Sequence, residues 1–83
     1  MSEYIGAVHH EAAESFRARF EQYVGDGPDS IPPVIFDDLV AVCGWLAVYG
    51  GSERKVARAM QRSRDWVRPR IKWIRSLVQL IEV

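Results

Sequence analysis

From residue 3 to residue 24, Ile5, Val8, Ala12, Phe16, Phe20 and Tyr23 recur at steps of three and four, the spacing that lines one face of a 3.6-residue period. Glu3, His10, Glu14, Arg17 and Glu21 fall on the opposite face. The pattern predicts an amphipathic helix over 3–24, with Ser2 as its cap and Glu3 well placed near the positive helix end. Gly25-Asp26-Gly27-Pro28-Asp29-Ser30 is turn chemistry that ends this helix and opens a loop over 25–33. Pro32 and Pro33 are tolerated only at a helix start, so a second helix is expected to begin near them. Val34, Ile35, Phe36, Leu39, Val40, Val42, Cys43, Trp45, Leu46, Val48 and Tyr49 make it apolar on most sides, the mark of a central buried element. Asp37 and Asp38 mark its wet edge, and Gly50-Gly51 supplies a left-handed stop.

Ser52 is then expected to cap a short helix running to about Met60, followed by a tight turn. The last helix is predicted from about Arg64 to Ile81. Along it Val67, Ile71, Ile74, Val78 and Ile81 form an apolar stripe, widened by Trp66, Trp73, Leu77 and Leu80. Arg68, Lys72, Arg75, Gln79 and Glu82 follow the same spacing on the other side, so this helix offers a largely cationic face. No internal repeat, low-complexity tract or period-two strand pattern interrupts the reading. The expected fold is all-α: one domain of about four helices over 1–83, with residues 34–83 as its C-terminal unit.

Length and composition narrow the classes. A chain of 83 residues buries roughly 60–65 % of its unfolded surface, a modest core often completed by self-association. Hydrophobic residues at 48 % and charged residues at 27 % argue against global disorder. No apolar run reaches the roughly 18 residues a membrane span needs. The opening MSEYIGAVHHEAAE carries acid and histidine where a signal peptide wants lysine or arginine, so export is not expected and the cytoplasm is the expected compartment. Cys43 stands alone, which excludes an internal disulfide and a cysteine zinc cluster; a small buried apolar role is expected for it.

Charge changes the picture through its arrangement. The net charge is zero, yet residues 1–50 hold eight acids and two bases, a net −6, while residues 51–83 hold nine bases and three acids, a net +6. A protein that needs only solubility intersperses the two signs. Segregation gives one basic end suited to a polyanion and one acidic end that limits indiscriminate sticking. The alternative is that the two halves pair with each other, within or between chains.

Residues 52–71, Ser-Glu-Arg-Lys-Val-Ala-Arg-Ala-Met-Gln-Arg-Ser-Arg-Asp-Trp-Val-Arg-Pro-Arg-Ile, resemble a helix-turn-helix, the DNA-binding unit whose second helix enters the major groove. Ala57 stands where the motif wants a small residue because the two helices touch. Val56 and Met60 are expected to point inward, Ser63 to end the turn and cap the recognition helix, and Val67 to point inward one turn later. Gln61 and Arg62 depart from the pattern, which normally has a glycine and then an apolar residue, so a longer or differently bent turn is expected. Pro69 has no amide hydrogen for the Asp65 carbonyl. If Asp65 is the cap the strain is small; if Ser63 is the cap a kink near residue 65 is expected.

The resemblance places Arg64, Asp65 and Arg68 at the base edges. Arg64 and Arg68 are the best readers, since a guanidinium forks onto guanine O6 and N7. Asp65 either accepts from cytosine N4 or caps the helix and orients an arginine. Ser52, Arg54, Lys55, Arg58, Ser63, Arg70, Lys72 and Arg75 are candidates for phosphate contact, which positions a protein without reading sequence. Gln61 and Arg62, at the turn, can reach backbone or base. One such unit has a small footprint, so a two-fold dimer is expected, its recognition helices about 34 Å apart on a near-palindromic site. Ile74, Leu77, Val78, Leu80 and Ile81 are the first choice for the seam, and the face containing Phe16 and Phe20 the second. A helical front followed by a late helix-turn-helix is similar to the small Kor repressors of broad-host-range plasmids, of the KorC type. That resemblance implies operator binding as a dimer that blocks RNA polymerase at plasmid promoters.

Other chemistries find less support. His10 and Glu14, four apart on one face, can share a metal, but zinc needs three or four ligands and no further donor is near in sequence. There is no Gly-rich phosphate loop, no histidine in register with Cys43 and no evident acid–base pair, so no enzyme, cofactor, metal or small-molecule ligand is expected. The rival from another class is a small helical interaction module, adaptor or antitoxin-like, whose basic helix docks on an acidic partner.

Overall fold

A computed structural model describes the backbone of residues 2–82 and the side chains of residues 4–79. It is all-helical, with four α-helices: α1 (Ser2–Phe20), α2 (Pro33–Val48), α3 (Glu53–Met60) and α4 (Arg64–Glu82). A single 3-10 turn, Glu21–Tyr23, follows α1. The expected first helix is therefore shorter than 3–24 at its C-terminal end. The chain leaves it through a clasp in which Ile31 N–H donates to the Tyr23 carbonyl at 2.9 Å and Gly25 N–H to the Ile31 carbonyl at 3.2 Å. Ile31, 3 % exposed, drops into the core and anchors the loop.

α1 and α2 run antiparallel. His9 meets Trp45, Cys43 Sγ lies 4.0 Å from the Ala12 carbonyl oxygen, Phe16 stacks on Phe36, and Arg17 pairs with Asp37. Since His9 already meets Trp45 near the end of α2, the first turn of α1 overhangs its partner. Tyr4 and Ile5 are consequently exposed, against the expectation for Ile5. Tyr23 is also exposed, because the helical period stops at Phe20. The inward face of α1 is instead Ala13, Phe16 and Phe20, with His9 at its edge.

α2 starts with Pro33 at its first position, where a missing amide costs nothing, and the Pro32 carbonyl accepts from Phe36 N–H at 2.9 Å. Leu39 and Val42 are fully buried, and Phe36, Val40 and Gly44 nearly so, which makes α2 the central element. Val34, in its first turn, is exposed, so the helix is not apolar all round in use. It ends as expected: Gly50 and Gly51 take φ of 62° and 87°, and Gly51 N–H donates back to the Leu46 carbonyl at 2.9 Å. α3 and the inward face of α4 close the core with Val56, Ala57, Val67, Ile71 and Ile74. Among the described residues, no helix is long and apolar enough to cross a membrane.

Candidate nucleic-acid interface

The α3–α4 connection is three residues long. Ser52 Oγ accepts from Lys55 N–H at 3.3 Å and starts α3; Ser63 Oγ accepts from Trp66 N–H at 3.2 Å and starts α4. Ser63, not Asp65, is thus the cap of α4, while both serine hydroxyls keep an O–H to donate outward. Gln61 takes the left-handed conformation, φ 55° and ψ 43°, and Arg62 N–H donates to the Ala57 carbonyl at 3.0 Å. The turn is therefore not lengthened by the lack of glycine: glutamine adopts the geometry that glycine would give. α4 is assigned as one helix from Arg64 to Glu82, with Pro69 inside it.

Burial on the inside sets what faces out. Val56 and Val67 are fully buried, Ala57 is 4 % exposed where α3 meets α4, and Met60 packs against the core. Beside Val67, Ile71 and Ile74, which point inward, Arg64, Arg68, Lys72 and Arg75 form a stripe along one flank of α4, all exposed. Arg54, Lys55 and Arg58 on α3 and Arg62 in the turn are exposed too, as is Asp65. Eight of the nine basic side chains of residues 51–83 are thus open to solvent.

Glu53 ties this surface together. Its Oε1 accepts from Arg64 Nε at 3.2 Å and from Arg68 Nε and Nη2 at 3.3 and 3.1 Å, and its Oε2 from Arg68 Nε at 3.4 Å. The hydrogen bond from Arg68, joined by that from Arg64, holds the Glu53 carboxyl below the usual glutamate range, while the Glu53 carboxylate raises Arg68 further. Sequence reasoning did not single out Glu53, yet the signal exists. Glu53 and Ala57 share a face of α3 at i and i+4, Arg64 and Arg68 share a face of α4 at the same spacing, and Ala57 marks where the helices touch.

Arg70 is the exception among the bases. Its guanidinium lies 3.8 Å from the centre of the Trp66 ring, its Nη1 donates to the Trp66 carbonyl at 2.8 Å, and its Nε stands 3.5 Å from Asp38 Oδ2. Arg62 approaches the same indole at 4.7 Å from its centre. Among the described residues, Arg70–Asp38 is the ion pair that joins the acidic front half to the basic back half, since Arg17–Asp37 lies within the front. No family model, curated protein or solved structure matches this chain.

Of the residues expected at a dimer seam, Ile74 is 5 % exposed and belongs to the protomer's own core, as do Phe16 and Phe20 of the second-choice face. Leu77 and Val78 are half-buried. Leu77 borders a crevice of about 210 Å³ with Phe20, Tyr23, Ile31 and Trp73. The Leu80 and Ile81 side chains lie outside the described residues. His10 and Glu14 are exposed, and among the described residues no three His, Cys, Asp or Glu side chains converge as metal ligands would.

Proposed function

We propose that α3 and α4 act as a helix-turn-helix that binds duplex DNA, with α4 in the major groove, and that the protein regulates transcription as a dimeric repressor of the plasmid Kor type. The observation that carries this reading is the surface of eight exposed bases on two helices joined by a three-residue turn, all in the half of the chain that carries a net +6. Arg54, Lys55, Arg58, Arg62, Lys72 and Arg75, with the Ser52 and Ser63 hydroxyls, contact phosphates. Arg64 and Arg68, at the start of α4, reach base edges, and Asp65 beside them is free to accept from cytosine N4. Arg70 takes no part, because its guanidinium is used inside the protein. The second copy joins through the C-terminal part of α4, where Leu77 and Val78 remain half-open.

Selection from a random duplex pool tests the reading. The expected product is an inverted repeat whose half-sites lie about 10 base pairs apart, bound with a log affinity that falls linearly with log salt. Sedimentation of the complex gives two chains per duplex. A pool that yields no preferred sequence, with the protein binding all duplexes alike or none, overturns it in favour of an interaction module that docks an acidic protein.

A further inference from the structure

We infer that Glu53 is a positioning residue that presents Arg64 and Arg68 together, as one paired reader of two guanines in each half-site; this rests on the DNA-binding reading above. Among the described residues, these are the two of the eight exposed bases that a carboxylate holds. Glu53 takes Arg64 through Nε, and Arg68 through Nε and Nη2. Both contacts lie on the side edge of the guanidinium, which carries five N–H groups in a planar fork. Each arginine therefore keeps its end edge, formed by Nη1 and the outer hydrogen of Nη2. That edge forks onto guanine O6 and N7.

Phosphate contact and base reading make different demands. A phosphate accepts a cation from many directions, so Arg54, Lys55, Arg58, Lys72 and Arg75 need no partner inside the protein. A base edge takes a guanidinium in one plane, and an arginine aimed in advance gives up less side-chain freedom on binding. Arg64 and Arg68 are 57 % and 59 % exposed, so packing alone does not aim them; the clamp from Glu53, itself 27 % exposed, does. The two stand one turn apart on α4, about 6 Å along its axis. Base pairs stack about 3.4 Å apart, so the two forks reach guanines that are adjacent or separated by one base pair. The carboxylate has a second effect. It sets a negative charge beside the cations, which weakens attraction to any phosphate backbone regardless of sequence. The hydrogen bonds from Arg68 and Arg64 favour its charged form, so it is ionised at neutral pH.

The test uses the full chain and the duplex recovered from the selection, with 7-deazaguanine in place of guanine at each position in turn. For the parent, two guanines per half-site, adjacent or one base pair apart, each cost about 5-fold or more in affinity when N7 is removed. Arg64→Ala abolishes that cost at one of them and Arg68→Ala at the other. Glu53→Ala lowers both costs together, to about 2-fold or less, and binds random duplex severalfold tighter. Glu53→Asp keeps the charge but is one methylene too short to hold both arginines, so it lowers both costs and leaves random binding as in the parent. A purely structural tie between α3 and α4 would instead weaken specific and random duplexes alike in Glu53→Ala. That result, both costs intact in Glu53→Ala, a change confined to one position, or a recovered site without such a guanine pair each overturns the assignment of Glu53 and leaves DNA binding standing. A parent that selects no sequence overturns both.

Discussion

Arg70 lies over Trp66: its guanidinium carbon is 3.8 Å from the indole centre, and its Nη1 donates to the carbonyl oxygen of the same residue at 2.8 Å. One turn of α4 separates the two, so the arginine folds back along its own helix, where Asp38 of α2 stands 3.5 Å from Nε. The side chain thus fastens α4 to α2. Lys72, two residues on, is exposed.

These two bases should therefore respond oppositely to removal. Arg70→Ala loses a partly buried cation–π contact, a charge-assisted hydrogen bond and an ion pair, together about 1–3 kcal/mol. The melting temperature falls by several degrees, and the slope of log affinity against log salt stays as in the parent. Lys72→Ala leaves the melting temperature within a degree or two and lowers that slope by about 0.9. Thermal melts with anisotropy titrations at several salt concentrations separate them. An unchanged melting temperature in Arg70→Ala would mean that the contacts to Trp66 and Asp38 hold nothing.

Gln61 invites the opposite kind of change. Its φ of 55° is the left-handed region, which costs a residue with a Cβ roughly 1–2 kcal/mol. Glycine removes that cost and returns about 0.5–1 kcal/mol as extra freedom of the unfolded chain. Gln61→Gly should stabilise by about 0.5–1 kcal/mol and raise the melting temperature by a few degrees. Gln61→Val should do the reverse. Urea denaturation of the three proteins reads the order, and a glycine variant less stable than the parent would show that the glutamine side chain contributes more than its backbone strain removes.

What could be read without coordinates followed from local rules. Ser52, Pro33, Gly50 and Ser63 each act on their own helix end, and each lies where its chemistry requires. The stripe of Val67, Ile71 and Ile74 follows from a period that only needs counting. What escaped depended on relations across the fold. Ile5 and Tyr23 carry the right spacing, but where α2 ends and where α1 stops decides their exposure. Ile31 sits in a segment with no period, so nothing marked it as core. Glu53, Arg64 and Arg68 lie 11 and 15 residues apart and meet only because α3 and α4 pack side by side. Arg70 looks like its neighbours in a charge count, and only the position of Trp66 and Asp38 sets it apart.

The clamp on Arg64 and Arg68 is also expected to carry a pH dependence. Glu53 is held below its ordinary value in the folded protein, so its contribution to stability is complete above the ordinary glutamate pKa, near 4.3, and is lost as pH falls through the lower folded value. The stability difference between the parent and Glu53→Gln should stay constant from about pH 7 to pH 5 and shrink below about pH 4. It should be larger at low salt, because both arginines are exposed. Denaturant melts across that range provide the comparison. A difference that grows toward acid would mean that the carboxylate is destabilised by its surroundings, not held by its partners.

Gly44 is buried on α2 under the ring of His9, and a Cβ built there would stand 2.6 Å from His9 Cδ2 and Nε2 and 2.8 Å from Cε1. That ring is set edge-on against Trp45, centroids 4.6 Å apart at 62°, so it cannot yield without leaving its aromatic partner. Gly44→Ala should therefore destabilise by about 1–3 kcal/mol, although alanine is the better helix former by about 1 kcal/mol. With His9→Ala in place the obstacle is gone, and the same Gly44→Ala change should become neutral or stabilising by up to about 1 kcal/mol. The sign reversal between backgrounds is a coupling energy that four urea melts measure directly. Equal destabilisation in both would show that the close approach at Gly44 is governed by something other than the histidine ring.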